Sequence, residues 1–163
     1  MAETLSLTLT ANGADIEGDS TVTSLERADT IEVISMEQQV SRSFDRATLT
    51  ATARRIYAPI RFTKRLDRST PLLRQALVNN EVVVGNFRWF RQSPSGDGTT
   101  EPFFTLTFTG GRITKCTLRL PDTLSADTAS LPPLEEIEVA VGVITWSWTD
   151  GGVEFEDIVN NAP

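Results

Sequence analysis

Ala58-Pro59-Ile60-Arg61-Phe62-Thr63-Lys64-Arg65-Leu66-Asp67-Arg68-Ser69-Thr70-Pro71-Leu72-Leu73-Arg74-Gln75-Ala76-Leu77-Val78-Asn79-Asn80 is the stretch that decides the fold. A short strand runs through a charged connector into one capped helix. Thr70 reads as the N-cap, because its hydroxyl can accept a hydrogen bond from an otherwise unpaired helix-start N–H. Pro71 then fits the first helical position, where its missing donor costs nothing. Leu72, Leu73, Ala76 and Leu77 share a face at the spacing of about 3.6 residues per turn. Asn79-Asn80 ends the helix, since Asn tolerates the left-handed conformation common there. No other segment reads as a convincing helix.

Working outward, period-two alternation dominates. Leu5, Leu7 and Leu9 alternate with Ser6, Thr8 and Thr10 as in a half-buried strand. Ala11 to Asp15 reads as a loop, and further strands are expected at Thr30–Met36, Ile60–Lys64, Val82–Arg91, Phe103–Thr109, Ile113–Leu120, Ile137–Trp148 and Val153–Asp157. Gly110-Gly111 is a turn signal between two of them, and Ser93 to Gly98 is a loop joining two strands that can pair antiparallel. In Ile137–Trp148 the apolar residues change from odd to even positions. Either both faces are covered, or one extra residue near Gly142 switches the register; a bulge is the favoured reading. The expected fold is mainly β, a barrel-like two-sheet β-sandwich with one short α-helix over about 70–79, in a single domain spanning residues 1–163.

At 163 residues one domain can bury roughly 70% of its unfolded surface without disulfides. The lone Cys116 has no internal partner and alternates with Leu118 and Leu120, so it reads as a buried structural thiol. No apolar amino-terminal run follows basic residues, so no ordinary signal peptide is visible. No stretch approaches the roughly 20 apolar residues that span a membrane, so no insertion is expected. The net charge of −7 argues against nucleic-acid binding, which needs an extended basic surface. The charge is uneven: Arg42 to Arg91 holds 11 basic and 3 acidic residues, leaving 4 basic and 19 acidic residues elsewhere.

Catalytic chemistry has little to work with. Histidine is absent, which removes the commonest general base and metal ligand. Glu135-Glu136 and Glu154-x-Glu156-Asp157 cluster carboxylates, and a pair at the right separation hydrolyses glycosidic bonds, but solvated charge explains them better. Asp15, Glu17 and Asp19 have the spacing of a calcium loop without its remaining ligands. Gly96-x-Gly98 lacks the Lys-Ser/Thr ending of a P-loop. Trp89, Phe90, Trp146 and Trp148 suit core or subunit packing better than a sugar platform. No catalytic residue, cofactor or metal is assigned.

The order of strand, Thr63-Lys64-x-Leu66-Asp67-x-Ser69-Thr70-Pro71-Leu72-Leu73 and Ala76-Leu77 resembles the haemolysin-coregulated protein (Hcp) family. Three further stretches resemble it in sequence order: Gly18 to Val22, Thr30 to Ser35, and Leu134 to Glu138 leading to Ile144 through Gly152. Together they cover nearly the whole chain. The resemblance implies an inner-tube subunit of a type VI secretion system: six copies form a ring, and rings stack into a hollow tube. It implies partners too, namely further copies of itself, a contractile sheath, a spike protein and effectors. Assembly would occur in the bacterial cytoplasm, followed by secretion through the system without a cleaved leader. In Hcp-like proteins the segment matching Gln39 to Tyr57 reaches toward the next ring, making it the expected stacking element. Tyr57 stands where many relatives have histidine, and Ala47 to Ala53 lacks a glycine often found there. A tail-tube subunit of a phage-like contractile particle would share this architecture. A monomeric carbohydrate-binding β-module is the alternative from a different class, and a hydrolase comes last.

Uneven charge suggests complementary surfaces on subunits that meet head to tail, which would steer assembly and fix its register. The candidate positive side comprises Arg42, Arg46, Arg54, Arg55, Arg61, Lys64, Arg65 and Arg68, with Tyr57 beside them. The candidate negative side comprises Glu135, Glu136, Glu138, Glu154, Glu156 and Asp157.

Overall fold

The computed structural model describes residues 3–159. In chain order the elements are β1 (Thr4–Ala11), β2 (Ala14–Ile16), β3 (Ile31–Glu37), β4 (Val40–Ser41), β5 (Ile56–Tyr57), β6 (Ile60–Arg65), α1 (Ser69–Val78), β7 (Val83–Gln92), β8 (Thr100–Arg119), β9 (Leu134–Ala140), β10 (Val143–Trp148) and β11 (Val153–Ile158). Strands pair in the order β7-β1-β3-β6-β9, and β8 pairs with both β7 and β9, so six strands close a barrel. Closure removes the open edges that would invite aggregation. β10 and β11 extend from β8 as a wing outside the closed circuit. β4 and β5 form a separate hairpin.

Inward residues fill the barrel: Leu7, Ile31, Ile60, Phe62, Phe87, Phe108, Ile137 and Val139 are wholly buried, and Ile144 at the root of the wing is buried against the same core. Phe62 and Phe108 each pack against Phe87. Gly85 has no side chain because a Cβ there would lie 2.5 Å from the Phe108 ring.

Several sequence expectations need correction. Thr70 is not the N-cap; it lies inside the first helical turn. Asp67 caps instead: its Oδ1 accepts from the Ser69 N–H at 2.9 Å, while its own N–H donates to Thr70 Oγ1 at 3.2 Å. This reciprocal pair satisfies two orphan donors, as a capping box does. Pro71 therefore stands later in the first turn, and the Thr70 N–H takes the Asp67 carbonyl instead. The helix face also rotates, burying Ser69, Leu73 and Ala76 while Leu72 is exposed. Its end fits the expectation: Asn80 has φ 51°, and the N–H groups of Asn80 and Glu81 bond to the carbonyls of Leu77 and Ala76, a Schellman motif. The Ala11–Asp15 loop is a tight hairpin, with Asn12 and Gly13 both at positive φ between β1 and β2.

Gly110-Gly111 is no turn. β8 runs straight through it for 20 residues, bending where Gly110 takes φ 61°. Opposite, Ile137–Trp148 is broken into β9 and β10 at Val141-Gly142. No residue is inserted in that strand, since Arg112 faces Ala140 and Thr109 faces Val143 in unchanged alignment; the extra residue is on β8, where Phe108 to Gly111 opposes Gly85 to Val83 with a register shift. Burial switches parity on both strands together: from Phe108 to Ile113 on β8, and from Val139 to Ile144 across the break. Both strands turn one corner at the same place, where Gly142 lies against Thr109 and Gly110. Cys116, read as buried, is half-buried on β8, and burial raises its thiol pKa.

Candidate assembly interface

The segment from Gln39 to Tyr57 projects as an arm. β4 and β5 pair at its root, Phe44 bridges to Ala51, and the tip turns on Asp45. The Asp45 carboxylate accepts from the Thr48 N–H and hydroxyl and from the Ala47 N–H, which hold its pKa down. The arm packs little of itself away: Val40, Phe44, Leu49 and Ile56 are all exposed, Leu49 by 77%. Such isolated hairpins are marginally stable alone, and contiguous exposed apolar groups mark interaction sites.

One triad anchors the root. Arg55 donates from Nε and Nη2 to the two Asp157 oxygens at 2.5 and 2.6 Å, and a further bond goes to the Ile158 carbonyl at 3.0 Å. The Tyr57 hydroxyl donates to Asp157 at 2.5 Å. Hydrogen bonds from Arg55 and then Tyr57 hold the Asp157 carboxyl below its usual range. Tyr57 also stacks on Trp146, whose other neighbour is Phe155 of β11. The arm root is thus fastened to the wing of its own chain.

Lys64 and Glu135 form a second cluster, and both are fully buried. They pair at 2.5 Å, with Asp67 2.8 Å from the same ammonium. Thr70 and Arg74 of α1 donate to Glu135 at 2.6 and 2.5 Å. Burial works to raise the Glu135 pKa, but hydrogen bonds from Lys64, Thr70 and Arg74, with the Lys64 charge, outweigh it and hold it low. This cluster clamps α1 to the barrel. As candidates for contact with another subunit, Lys64 and Glu135 are therefore corrected: neither reaches the surface.

Other candidates also meet partners within the chain. Arg61 lies 3.6 Å from Glu136 and 3.3 Å from Glu138. Arg68 reaches Glu17 at 3.2 Å and Asp19 at 3.1 Å and pairs with Asp29, so two of the three carboxylates with calcium-loop spacing, Glu17 and Asp19, serve an arginine. Of the 11 cations between Arg42 and Arg91, only Arg42, Arg46, Arg54 and Arg65 have no ion pair among the described residues, and all four are exposed. On the acidic side Glu154 and Glu156 are exposed on β11 without a cation partner among the described residues. Sequence reading missed Asp67, Thr70 and Arg74 as members of the buried cluster; an acid three residues before Thr70 was the available signal.

Among the described residues no group of three or more metal-ligating side chains converges, and no helix is long and apolar enough to cross a membrane. The aromatic residues are mostly absorbed by packing: Phe90 is buried under Arg27, and Trp89 packs on Phe87 and Phe104. Trp148, 39% exposed, lies against Phe103.

The molecule is a small closed β-barrel carrying a hairpin that exposes Phe44, Leu49 and Ile56 and a two-stranded wing, β10 and β11. The family model "Type VI secretion system effector, Hcp" matches residues 8–148. The chain belongs to the Hcp family of type VI secretion proteins. Among solved structures, a mutant Hcp1 from E. coli EAEC 042 is 27% identical with a TM-score of 0.82, covering 97% of this chain and 99% of that one. Another Hcp protein is 24% identical with a TM-score of 0.85, covering 99% and 100%. Hcp3 from Pseudomonas aeruginosa, at 19% identity and a TM-score of 0.76, covers 98% and 100%. No curated protein matches.

Proposed function

We propose that the chain is the structural subunit of a type VI secretion tube. Six copies close a ring, rings stack into a hollow conduit, and a contractile sheath expels the conduit with its spike to deliver effectors. Assembly takes place in the bacterial cytoplasm, and the protein leaves the cell as part of the tube. The role is mechanical: repeated shape does the work, and no covalent step is assigned.

The observation that carries this reading is the arm. A hairpin that exposes Phe44, Leu49 and Ile56 and carries three arginines without intrachain ion pairs among the described residues gains burial and charge partners only in a larger assembly. A surface that differs from its receiving site makes a head-to-tail contact, which closes into rings or propagates as a filament. Arg42, Arg46, Arg54 and Arg65 remain on the proposed positive side, with Glu154 and Glu156 on the negative side. Negative-stain imaging of the purified protein tests the proposal: annular particles and stacks support it, and a strictly monomeric protein at high concentration rejects it.

A further inference from the structure

The loop between β2 and β3 folds one cation inward. Arg27 is only 6% exposed, and its guanidinium lies 4.3 Å from the centre of the buried Phe90 ring. Arginine is almost never buried this far without a paired anion, because a desolvated charge is costly unless an opposite charge and hydrogen bonds compensate it. The hydrogen bonds are present: Nε donates to the Ser24 carbonyl at 3.0 Å, Nη2 to Ser24 Oγ at 2.9 Å and Nη1 to Thr4 Oγ1 at 3.3 Å. All three acceptors are neutral, and no carboxylate among the described residues pairs with Arg27. The neighbouring cations have theirs: Arg88 lies 3.6 Å from Glu26, and Arg91 lies 3.1 Å from Glu101. One positive charge is left over. Burial and then the Arg88 charge lower the Arg27 pKa, as befits a cation short of an anion.

Arg27 and Phe90 form the floor of a cavity of about 280 Å³ between this loop, the start of β1 and the end of β7. Two arginines line it and no carboxylate does. Its rim is made of donors. Thr4 and Ser24 accept from Arg27 through their hydroxyl oxygens, so each keeps its own hydrogen to donate. Thr100 and Gln92 also line the cavity, and neither side chain has a hydrogen-bond partner among the described residues. Nη1 and Nη2 of Arg27 each keep a second N–H without an acceptor among the described residues. Free donors thus converge on a buried charge that lacks its counterion.

We infer that this cavity binds a small oxyanion of the phosphate class, free or esterified, seated on the Arg27 guanidinium. The planar fork of arginine matches phosphate oxygens, and its charge strengthens each hydrogen bond. The remaining phosphate oxygens accept from the hydroxyls of Thr4, Ser24 and Thr100. A carboxylate has only two oxygens and leaves rim donors unmet. Bound there, the anion supplies the missing charge and ties the loop to β1 and β7. The cavity shares no lining residue with the arm or the wing, and the inference does not rest on the tube reading.

Thermal unfolding in sodium phosphate, against sodium chloride of equal ionic strength and in one oligomeric state, tests the site. Phosphate also stabilises proteins by exclusion from their surface, so the quantity read is the excess shift of the wild type over site variants. For a Kd of about 1 mM, about 50 mM phosphate raises the wild-type Tm by roughly 5 °C or more beyond that background. Thr4→Asp places a carboxylate at the position whose hydroxyl oxygen is 3.3 Å from Nη1, so the missing anion comes from within the chain. This variant melts at or above the wild type in chloride and loses the excess shift. Arg27→Gln loses it too; should that protein fail to fold, Thr4→Asp carries the test alone. Isothermal titration calorimetry with phosphate gives a saturable heat for the wild type and none for Thr4→Asp. A response to methyl phosphate equal to that of phosphate assigns an esterified ligand, and a response to phosphate alone assigns the free ion; both uphold the site. The inference is overturned if phosphate gives the wild type no saturable heat, if Thr4→Asp keeps the wild-type response, or if acetate matches phosphate at equal concentration.

Discussion

Glu135→Gln is the sharpest test of how the barrel holds its helix. The wild-type carboxylate is fully buried and accepts from Lys64 at 2.5 Å, Thr70 at 2.6 Å and Arg74 at 2.5 Å. Glutamine keeps the shape but turns an N–H₂ toward cationic donors, so at least one buried donor loses its acceptor. Removing one partner of a buried pair costs about 3–5 kcal/mol. Asp67 remains 2.8 Å from Lys64, so the ammonium is not wholly orphaned and the lower end, about 3 kcal/mol, applies. For a chain of this size that lowers the Tm by roughly 6–12 °C. Thermal unfolding by circular dichroism reads the shift, with both proteins in the same oligomeric state, since assembly adds its own stabilisation. Pairing Lys64→Met with Glu135→Leu removes both buried charges together, and this double variant melts above Glu135→Gln. A Glu135→Gln protein within about 2 °C of wild type, less than 1 kcal/mol on the same scale, refutes the clamp.

Acid sensitivity follows from the same carboxyls. Burial would raise Asp67, yet hydrogen bonds from Lys64 and Ser69 and the Lys64 charge hold it down, as their counterparts do for Glu135; hydrogen bonds from Arg55 and then Tyr57 lower Asp157. Each group binds fewer protons folded than unfolded, so its stabilisation is present above its unfolded pKa of about 4 and is lost as pH falls through the lower folded value. Urea midpoints should therefore stay level from neutral pH to about 5 and decline below about 4; a midpoint rising on acidification contradicts this. Asp157→Asn releases the arm root, so amide exchange in residues 39–58 accelerates while exchange in the β1 and β7 core stays unchanged. Gly85→Ala forces a Cβ to within 2.5 Å of the Phe108 ring and costs about 1–3 kcal/mol by overpacking, read as a lower denaturant midpoint.

The sequence carried the helix, most strand positions and the closed β architecture, because period-two and period-3.6 patterns report directly which side chains face a core. It misplaced what only a partner can specify. Thr70 and Asp67 are both good caps, and the choice between them depends on Glu135, 65 residues away, taking the Thr70 hydroxyl. Gly110-Gly111 looks like a turn until Gly142 is found opposite it, letting two strands bend together. The basic run from Arg42 to Arg91 suggested one large positive surface. Folding pairs Arg55, Arg61, Lys64, Arg68, Arg74, Arg88 and Arg91 with acids of the same chain. Linear charge balance cannot separate internal pairs from free cations. Of that run, only Arg42, Arg46 and Arg54 on the arm and Arg65 at the end of β6 stay unpaired among the described residues.

The most direct measurement is the mass and shape of the particle in solution. Analytical ultracentrifugation with negative-stain imaging across a range of concentration and salt should give a six-copy ring and, at higher concentration, stacked rings. A single species of one-copy mass throughout, with no annular particles, would contradict the account.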